Sequence, residues 1–405
     1  MSLANFQEHF SNAYEEIFQK TLVAKEVANT RFESVLRYGE SIERFRYDID
    51  GVFARSVTRG SASTIDSVSD STALLTVDQE FEMVFHLSDG EITQAGPLNP
   101  GTVIGGKIAH KLSQHLDGKV FAEVDNAAND FDNGDLTGAL TSDGTGITLS
   151  STTVPQMVSR MPAKLMNKEN VDATSNMVMV VDAVAASDIT QYLLGKNIDL
   201  AGSTFKNGYT GPVHNAEMYV SENLLGRVVI GMATNPTADD TVTINGVTFT
   251  FVATLGAAGD LHIGTTVDDT RANFAAALND PTTAIAEAAT TGYQVLSAAD
   301  QQTLVNADIA ASNDDSADTL TITGRGRLTV SETFTDGTDA VNSNVLNAYY
   351  GKRGGIDLVV QDMKEVDMRA TDDRRGYNVF SSYLAGIKTF TDGSKQFLRV
   401  LINNA

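Results

Sequence analysis

Residues 99–126 read NPGTVIGGKIAHKLSQHLDGKVFAEVDN. Asn99 supplies an N-cap, and Pro100 stands at the first helical position, where its missing N–H is no loss. Ile104, Ile108, Leu112, Leu116, Val120 and Val124 then recur every four residues. Four residues advance an α-helix by about 400°, so the apolar stripe drifts about 40° per step. The spacing predicts one helix of roughly 40 Å, contacted from changing directions along its length. That is a central spine rather than a surface helix.

On its N-terminal side, residues 73–87 place Leu75, Val77, Phe81, Met83 and Phe85 mostly on one parity, which predicts a strand. Between Asp48 and about Gln79, Ser, Thr, Asp and Gly interleave with single apolar residues such as Val57, Ile65 and Val68. This reads as an extended hairpin or long loop, and loops beyond roughly 12 to 15 residues are usually functional or disordered. Residues 4 to about 36 set Phe6, Phe10, Tyr14, Ile17, Phe18, Val23 and Val27 at steps that suit an amphipathic helix. It is either an arm that docks elsewhere or a first core helix.

On the C-terminal side, residues 127–155 have a loop composition that includes Asp130, Asp132, Asn133, Gly134 and Asp135. A calcium loop of the EF-hand type needs Gly at its sixth position and Glu at its twelfth. Counting from Asp130 gives Asp135 and Thr141, so a solvated turn is the better reading. Residues 178–181 read as a buried strand, followed by a short helix through Ile189, Tyr192 and Leu193, a turn at 207–211 and a strand at 216–220.

Residues 239–336 stand apart. Residues 241–244 and 247–249 face each other across Asn245-Gly246, a type I′ hairpin signal. A helix follows, capped by Thr266 with Asp269 three residues on and carrying Phe274, Ala277 and Leu278. Residues 319–323 and 327–330 form a second expected pair across a Gly-rich turn. The segment is expected to be an inserted domain with a small core of its own. After it the main pattern resumes, with Ile356, Leu358 and Val360 on a strand face, a helix near 379–387 and a final strand at 396–402.

The 405 residues exceed one typical domain, and 42% apolar with 20% charged residues suits a globular chain with a real core. The 52 acidic against 29 basic residues give a net charge of -23, which disfavours tight nucleic-acid binding but is compatible with a wall that encloses DNA. There is no cysteine, so packing and assembly must supply stability, in keeping with a reducing cytoplasm. The first ten residues lack a signal-peptide pattern, and the apolar run 177–181 is cut by Asp182, so neither secretion nor membrane insertion is indicated.

Catalytic patterns fail on inspection. Gly101, Gly106 and Lys107 match GxxxxGK, but Ile108 follows where Ser or Thr must hold magnesium, and the run lies in a helix start. The histidines His9, His86, His110, His115, His214 and His262 show no metal spacing and are expected at the surface. No GxSxG elbow exists, and Ser203 with Lys206 is a chance SxxK. No catalytic residue, metal or cofactor is expected. Arg325 with Arg327, and Arg374 with Arg375, are the compact basic clusters; they read as turns, better suited to a neighbour's carboxylates than to nucleic acid.

Five blocks carry a resemblance to a known family: LLTVDQEFEMVFHLSDGEITQA (74–95), DGKVFAEVDNA (117–127), MVMVVDAVAASDITQYLL (177–194), NGYTGPVHNAEMYVSENL (207–224) and YYGKRGGIDLVVQDMKEVD (349–367). In this order they resemble the major capsid proteins of tailed phages, which share the Hong Kong 97 fold. Members often read VDP where this chain has Val181-Asp182-Ala183. The resemblance covers residues 1 to about 235 and about 340–405.

It implies an α+β fold with an N-terminal arm (1–47), an extended loop and peripheral strand (48–93), a spine helix and peripheral domain (94–140) and an axial domain (141–235). An insertion domain (236–339) and a return to the peripheral and axial domains (340–405) complete it. It further implies self-assembly into hexamers and pentamers of an icosahedral head that encloses DNA without specific binding. Assembly in the host cytoplasm, location in the virion, and portal, scaffolding and decoration proteins as partners also follow from it. A tail tube or adhesin subunit and an encapsulin-like shell are the rival readings. The loop contacts expected to meet a neighbouring copy are Arg55, Arg59, Leu74 and Leu75. Some members cross-link a loop lysine to a neighbour's asparagine, but residues 26–106 contain no lysine, so non-covalent contacts are expected here.

Overall fold

The computed structural model describes residues 23–34, 36, 39–48, 52, 54–56, 59, 65–66, 68–90, 100–169, 171–173, 176–195, 209–213, 216–282, 292–335, 339–370 and 375–404. Along the chain come α1 (Ala24–Val27), β1 (Ser41–Asp48), β2 (Ser69–Thr76), β3 (Gln79–Ser88), α2 (Pro100–Ala122), β4 (Asn129–Phe131), α3 (Thr153–Glu169), β5 (Met177–Val181), α4 (Ala183–Gly195), β6 (Tyr209–Val213), β7 (Ala216–Val220) and β8 (Leu225–Gly231). They continue with β9 (Thr241–Ile244), β10 (Val247–Val252), β11 (Asp260–His262), α5 (Val267–Asn279), α6 (Ala298–Asn306), β12 (Ala310–Asp314), β13 (Thr319–Arg325) and β14 (Val330–Glu332). The last elements are β15 (Ala340–Lys352), β16 (Asp357–Ala370), β17 (Gly376–Lys388), α7 (Thr391–Ser394) and β18 (Phe397–Asn403). Two compact units result, one drawn from residues 28–113 and 356–390, the other from 18–27, 114–355 and 391–405.

In the first unit β1 and β2 form a two-stranded antiparallel ribbon, and β17 lies between β16 and β3 in an antiparallel sheet. The strand expected at 73–87 is therefore two strands. It breaks at Val77-Asp78, where the Val77 N–H turns to the Glu40 carbonyl, and its halves pair with different partners. The helix expected near 379–387 is the strand β17. Val379, Ser381, Tyr383 and Ala385 are all buried, a two-residue period that only a strand gives. The helix expected up to residue 36 ends at Val27 among the described residues. Beyond it the Asn29 N–H bonds the Ile356 carbonyl at 2.7 Å and its side chain bonds Asp357 Oδ1 at 2.5 Å, which draws the backbone into a bridge. Leu36, Leu75, Val77, Val359 and Phe390 form the core here.

The second unit is built on a nine-stranded sheet of order β12-β13-β8-β15-β5-β7-β6, with β18 beside β15 and β4 beside β18. All five residues of β5 are buried, which explains an apolar run without alternation. β5 runs parallel to β7, with α4 in the connection. Residues 209–211, expected in a turn, belong to β6; positions 207 and 208 of that expectation lie outside the described residues. The helix α3, not expected from the sequence, begins inside the loop read at 127–155 and buries Val154, Met157, Met161 and Leu165 on one face despite Pro162.

Within 239–336, Asn245 and Gly246 have φ of 49° and 83°, as a type I′ turn requires. The Thr266 and Asp269 capping box is formed, and β11, β10, β9 and β14 make a four-stranded sheet. The expected pairing of 319–323 with 327–330 does not occur. β13 pairs with β12 on one side and β8 on the other, while β14 pairs with β9. At Gly226 a Cβ would lie 2.2 Å from the Gly326 carbonyl oxygen, so the turn after β13 closes directly on the start of β8. The core is accordingly shared: Val228 and Ile230 of β8, with Met232 just after it, join Phe249, Phe251, Phe274, Leu278, Leu320 and Ile322 in one cluster.

The spine is α2, continued by a 3-10 turn at Glu123–Asn126. Leu112, Leu116, Val120 and Val124 are buried, as the four-residue repeat demands. Asn99 and the side chains of Ile104 and Ile108 lie outside the described residues.

Candidate assembly surface

Directly opposed residues of an antiparallel ribbon share a face. In β1–β2 the register Ile42↔Leu75 and Arg44↔Ala73 defines one face, and Glu43↔Leu74 and Phe45↔Thr72 the other. On the first, Leu75 is fully buried and Ile42 and Ala73 pack beside it. On the second, Phe45 is 67% exposed and Leu74 46%. The ribbon thus carries apolar side chains on both faces while the chain covers one.

This separates the two leucines named from sequence. Leu74 is available to a neighbour; Leu75 is a core residue, and its expected role as an assembly contact is corrected. Between the strands Val52, Ile65 and Val68 are exposed, Ile65 at 92%. Arg55 pairs with Asp66 at 2.7 Å, and Arg59 is exposed. On β3, Phe81 and Val84 are exposed as well, Phe81 with its ring 5.5 Å from that of Tyr383.

The charged residues that attracted attention in the sequence have structural partners in the second unit. Asp132 caps its own 3-10 turn and accepts from the N–H groups of Asp143 and Gly144 at 2.9 and 2.8 Å. Asp135 is buried against Lys164 at 2.5 Å, with the Lys164 ammonium also on Ser142 Oγ and over the Phe131 ring. Asp130 receives two hydrogen bonds from Arg399. These carboxylates hold the 127–145 segment together, but Asp132 and Asp135 are buried, so the solvated turn expected from the sequence is corrected to one tied down by internal hydrogen bonds. Arg327 donates to both oxygens of buried Asp182, at 2.5 and 3.2 Å, and Arg325 donates to the Asn306 carbonyl. Both arginines, expected to meet a neighbour's carboxylates, have partners within the chain; Arg374 lies outside the described residues.

His86, His110, His115 and His262 are half-buried rather than surface residues. His86 Nδ1 is 2.9 Å from Asn378 Oδ1, and burial lowers the pKa of His110. His9, His214, Ser203 and Lys206 lie outside the described residues. Gly101 to Lys107 lie on the α2 backbone, as a helix start and not a phosphate loop would place them. Among the described residues no helix is long and apolar enough to cross a membrane.

No family profile and no curated protein matches the chain. Solved structures do. A chain of Mycobacterium phage Che8 superposes with a TM-score of 0.50 at 12% identity, covering 98% of this chain and 96% of that one. The capsid structure of the cyanophage P-SCSP1u gives 0.48 at 11% identity, over 98% and 92% of the two chains. Mycobacterium phage Ogopogo gives 0.48 at 9% identity, over 99% of each. Over nearly its whole length the chain shares an α+β fold with the Che8 chain, as its sequence blocks led one to expect of a phage protein.

Proposed function

We propose that this chain is the major capsid protein of a tailed phage, a non-enzymatic protein that packs with copies of itself as hexamers and pentamers of an icosahedral head. The carrying observation is the outward row of Phe45 and Leu74 on a ribbon whose other face is already covered. Apolar surface of this kind, on the open face of a two-stranded element, is stabilised when a partner removes it from water. Closed symmetry lets one such element serve every subunit. The fold shared over nearly the full length with a phage chain supports the same reading, as does the order of the five sequence blocks.

The enclosed polymer is DNA, held without specific contacts by a chain of net charge -23. Portal, scaffolding and decoration proteins are the further partners this role calls for, with assembly in the host cytoplasm. Negative-stain microscopy of the expressed protein tests the proposal. Closed shells or flat hexamer sheets are expected, whereas stacked rings would replace it with the tail-tube reading, and shells filled with enzyme instead of DNA in the native host with a compartment protein.

A further inference from the structure

Lys164, on α3, is a lysine kept from water: its side chain is 2% exposed, and that of its partner Asp135 is fully buried. The amine has three neighbours. Asp135 Oδ2 lies 2.5 Å from Nζ and Ser142 Oγ 2.7 Å, and the Phe131 ring centroid is 5.9 Å away. The carboxyl is held as closely. Its Oδ2 accepts the Asp132 N–H at 2.9 Å and the Ser142 hydroxyl at 3.5 Å, while among the described residues no donor reaches Oδ1. The loop around the pair has no slack. A Cβ on Gly134 would lie 2.5 Å from the Thr141 carbonyl oxygen, and the Asp132 carboxylate ties down the N–H groups of Asp143 and Gly144.

We propose that Lys164 and Asp135 condense to an intramolecular amide, a covalent strap between the 3-10 turn at Asn133–Thr137 and α3. A buried ion pair is well held only when every charged oxygen and nitrogen has a partner, and here one carboxylate oxygen has none. The amide removes both charges. An amine and a carboxylic acid do not condense in bulk water, but a fixed intramolecular approach acts like a partner concentration of about 10⁵ to 10⁸ M, and burial excludes the water that would reverse the step. Atoms and protons balance within the site. One proton passes from Nζ to Oδ2, leaving a neutral amine beside a carboxylic acid. Nζ then attacks Cγ, and the Cγ–Nζ bond forms. Ser142 accepts from Nζ and donates to Oδ2, so its hydroxyl relays a second proton from the nitrogen to Oδ2; the Cγ–Oδ2 bond breaks and Oδ2 leaves as water. No oxidant or co-reactant is needed, and the event occurs once per chain. In a chain without cysteine the strap closes a stretch of 29 positions, the restraint on the unfolded chain that a disulfide supplies elsewhere.

Mass spectrometry of the full-length chain tests the strap. After denaturation the intact chain is expected to weigh about 18 Da less than its sequence, the mass of the water lost. Trypsin should fail to cut after Lys164, and because no Lys or Arg lies between Lys119 and Arg160, peptide 120–160 should run joined to 161–168. Lys164→Arg should return the chain to its full sequence mass, and Ser142→Ala, which removes the relay and leaves the pair in place, should leave most of the chain uncondensed. A full-length chain at its sequence mass, cut normally after Lys164, would overturn the proposal and make the pair an ion pair only. So would a chain that has lost water but yields 120–160 and 161–164 as separate peptides, since the loss then lies at another residue, such as a cyclised Asp-Gly step.

Discussion

The ribbon β1–β2 and the shorter hairpin β9–β10 differ in what they point outward. In β9–β10 the inward row is Val242, Ile244, Val247, Phe249 and Phe251, all buried, and the outward row is Thr241, Thr243, Thr248 and Thr250, with Thr243 and Thr248 hydroxyls 2.9 Å apart. In β1–β2 the inward row is capped by Leu75, but the outward row holds Phe45 and Leu74 in place of threonines. One hairpin is finished by its own chain. The other leaves on the surface a row that a second copy would bury. The contrast teaches where folding ends and assembly begins: stability changes should follow the first hairpin, particle formation the second.

The largest expected effect bears on how self-contained the finished hairpin is. A fragment of residues 239–336 lacks Val228, Ile230 and Met232, which sit in the same cluster as Phe274. Each buried side chain of this kind contributes about 1.5 to 3 kcal/mol. The fragment 239–336 is expected to melt without a cooperative transition, whereas 224–347, which restores β8 and its partner strand, should show one in calorimetry. Cooperative melting of the shorter fragment would return the boundary to where the sequence alone drew it.

That boundary shows what a sequence conceals. The type I′ turn, the capping box and the spine repeat depend on residues within a few positions of each other, and Asn245-Gly246, Thr266 with Asp269 and Leu112 to Val124 were legible for that reason. The partner of a strand is not local. Residues 319–325 carry the pattern of any buried strand, and nothing in them says that β8, some ninety residues earlier, is the neighbour. β17 failed differently: its Val379-Phe380 and Tyr383-Leu384 pairs mimic helical spacing, and pairing on both edges overrides it. Helix α3 had the right stripe, Val154, Met157, Met161 and Leu165, but Pro162 and the Thr-rich lead into it hid the signal. At the candidate surface, Leu74 and Leu75 are adjacent and chemically identical. Only the register, which puts one beside Glu43 and the other beside Ile42, separates the exposed leucine from the core one.

Next in size are single core truncations. Phe274 lies against Phe249 and Phe251 with ring centroids 5.2 and 5.7 Å away, so Phe274→Ala should cost about 3 to 5 kcal/mol. Leu112→Ala and Leu116→Ala on the spine should each cost about 2 to 5 kcal/mol. Urea titration of the unassembled chain measures all three. Unchanged midpoints for the leucine variants would make α2 peripheral.

A smaller effect is set by pH. Asp308, which pairs with Lys119 Nζ and His115 Nε2, has a folded pKa below its ordinary 3.8, so its contribution is full above that value and is lost as pH falls toward the folded one. Asp117 has a raised folded pKa, so its ionisation contributes in the opposite sense, favouring the folded state most at low pH and less as pH rises through the folded value. Asp308→Asn should therefore lower Tm at pH 7, and the gap to the unsubstituted chain should narrow below about pH 4. A gap that stays constant from pH 7 to pH 3 would show that the Lys119 and His115 pairs contribute nothing.

The smallest expected change in stability discriminates best between the two hairpins. Phe45→Ser with Leu74→Thr gives β1–β2 the outward row that β9–β10 already has, and touches no buried side chain of the described chain. Exposed substitutions of this sort usually alter stability by no more than about 0.5 kcal/mol, so the unassembled protein should melt as before. Particle formation should fail, because the apolar area that a neighbour would remove from water is gone. Leu75→Ala is the control in the opposite direction: it opens the core shared with Val77, Val359 and Phe390, and should cost about 2 to 5 kcal/mol in the free chain before assembly is considered. Sedimentation and negative-stain counts read the outcome beside the melting curves. Normal shells from the double variant would show that the outward row of Phe45 and Leu74 is not the contact, and would shift the search to the exposed Ile65 and Val68 between the strands.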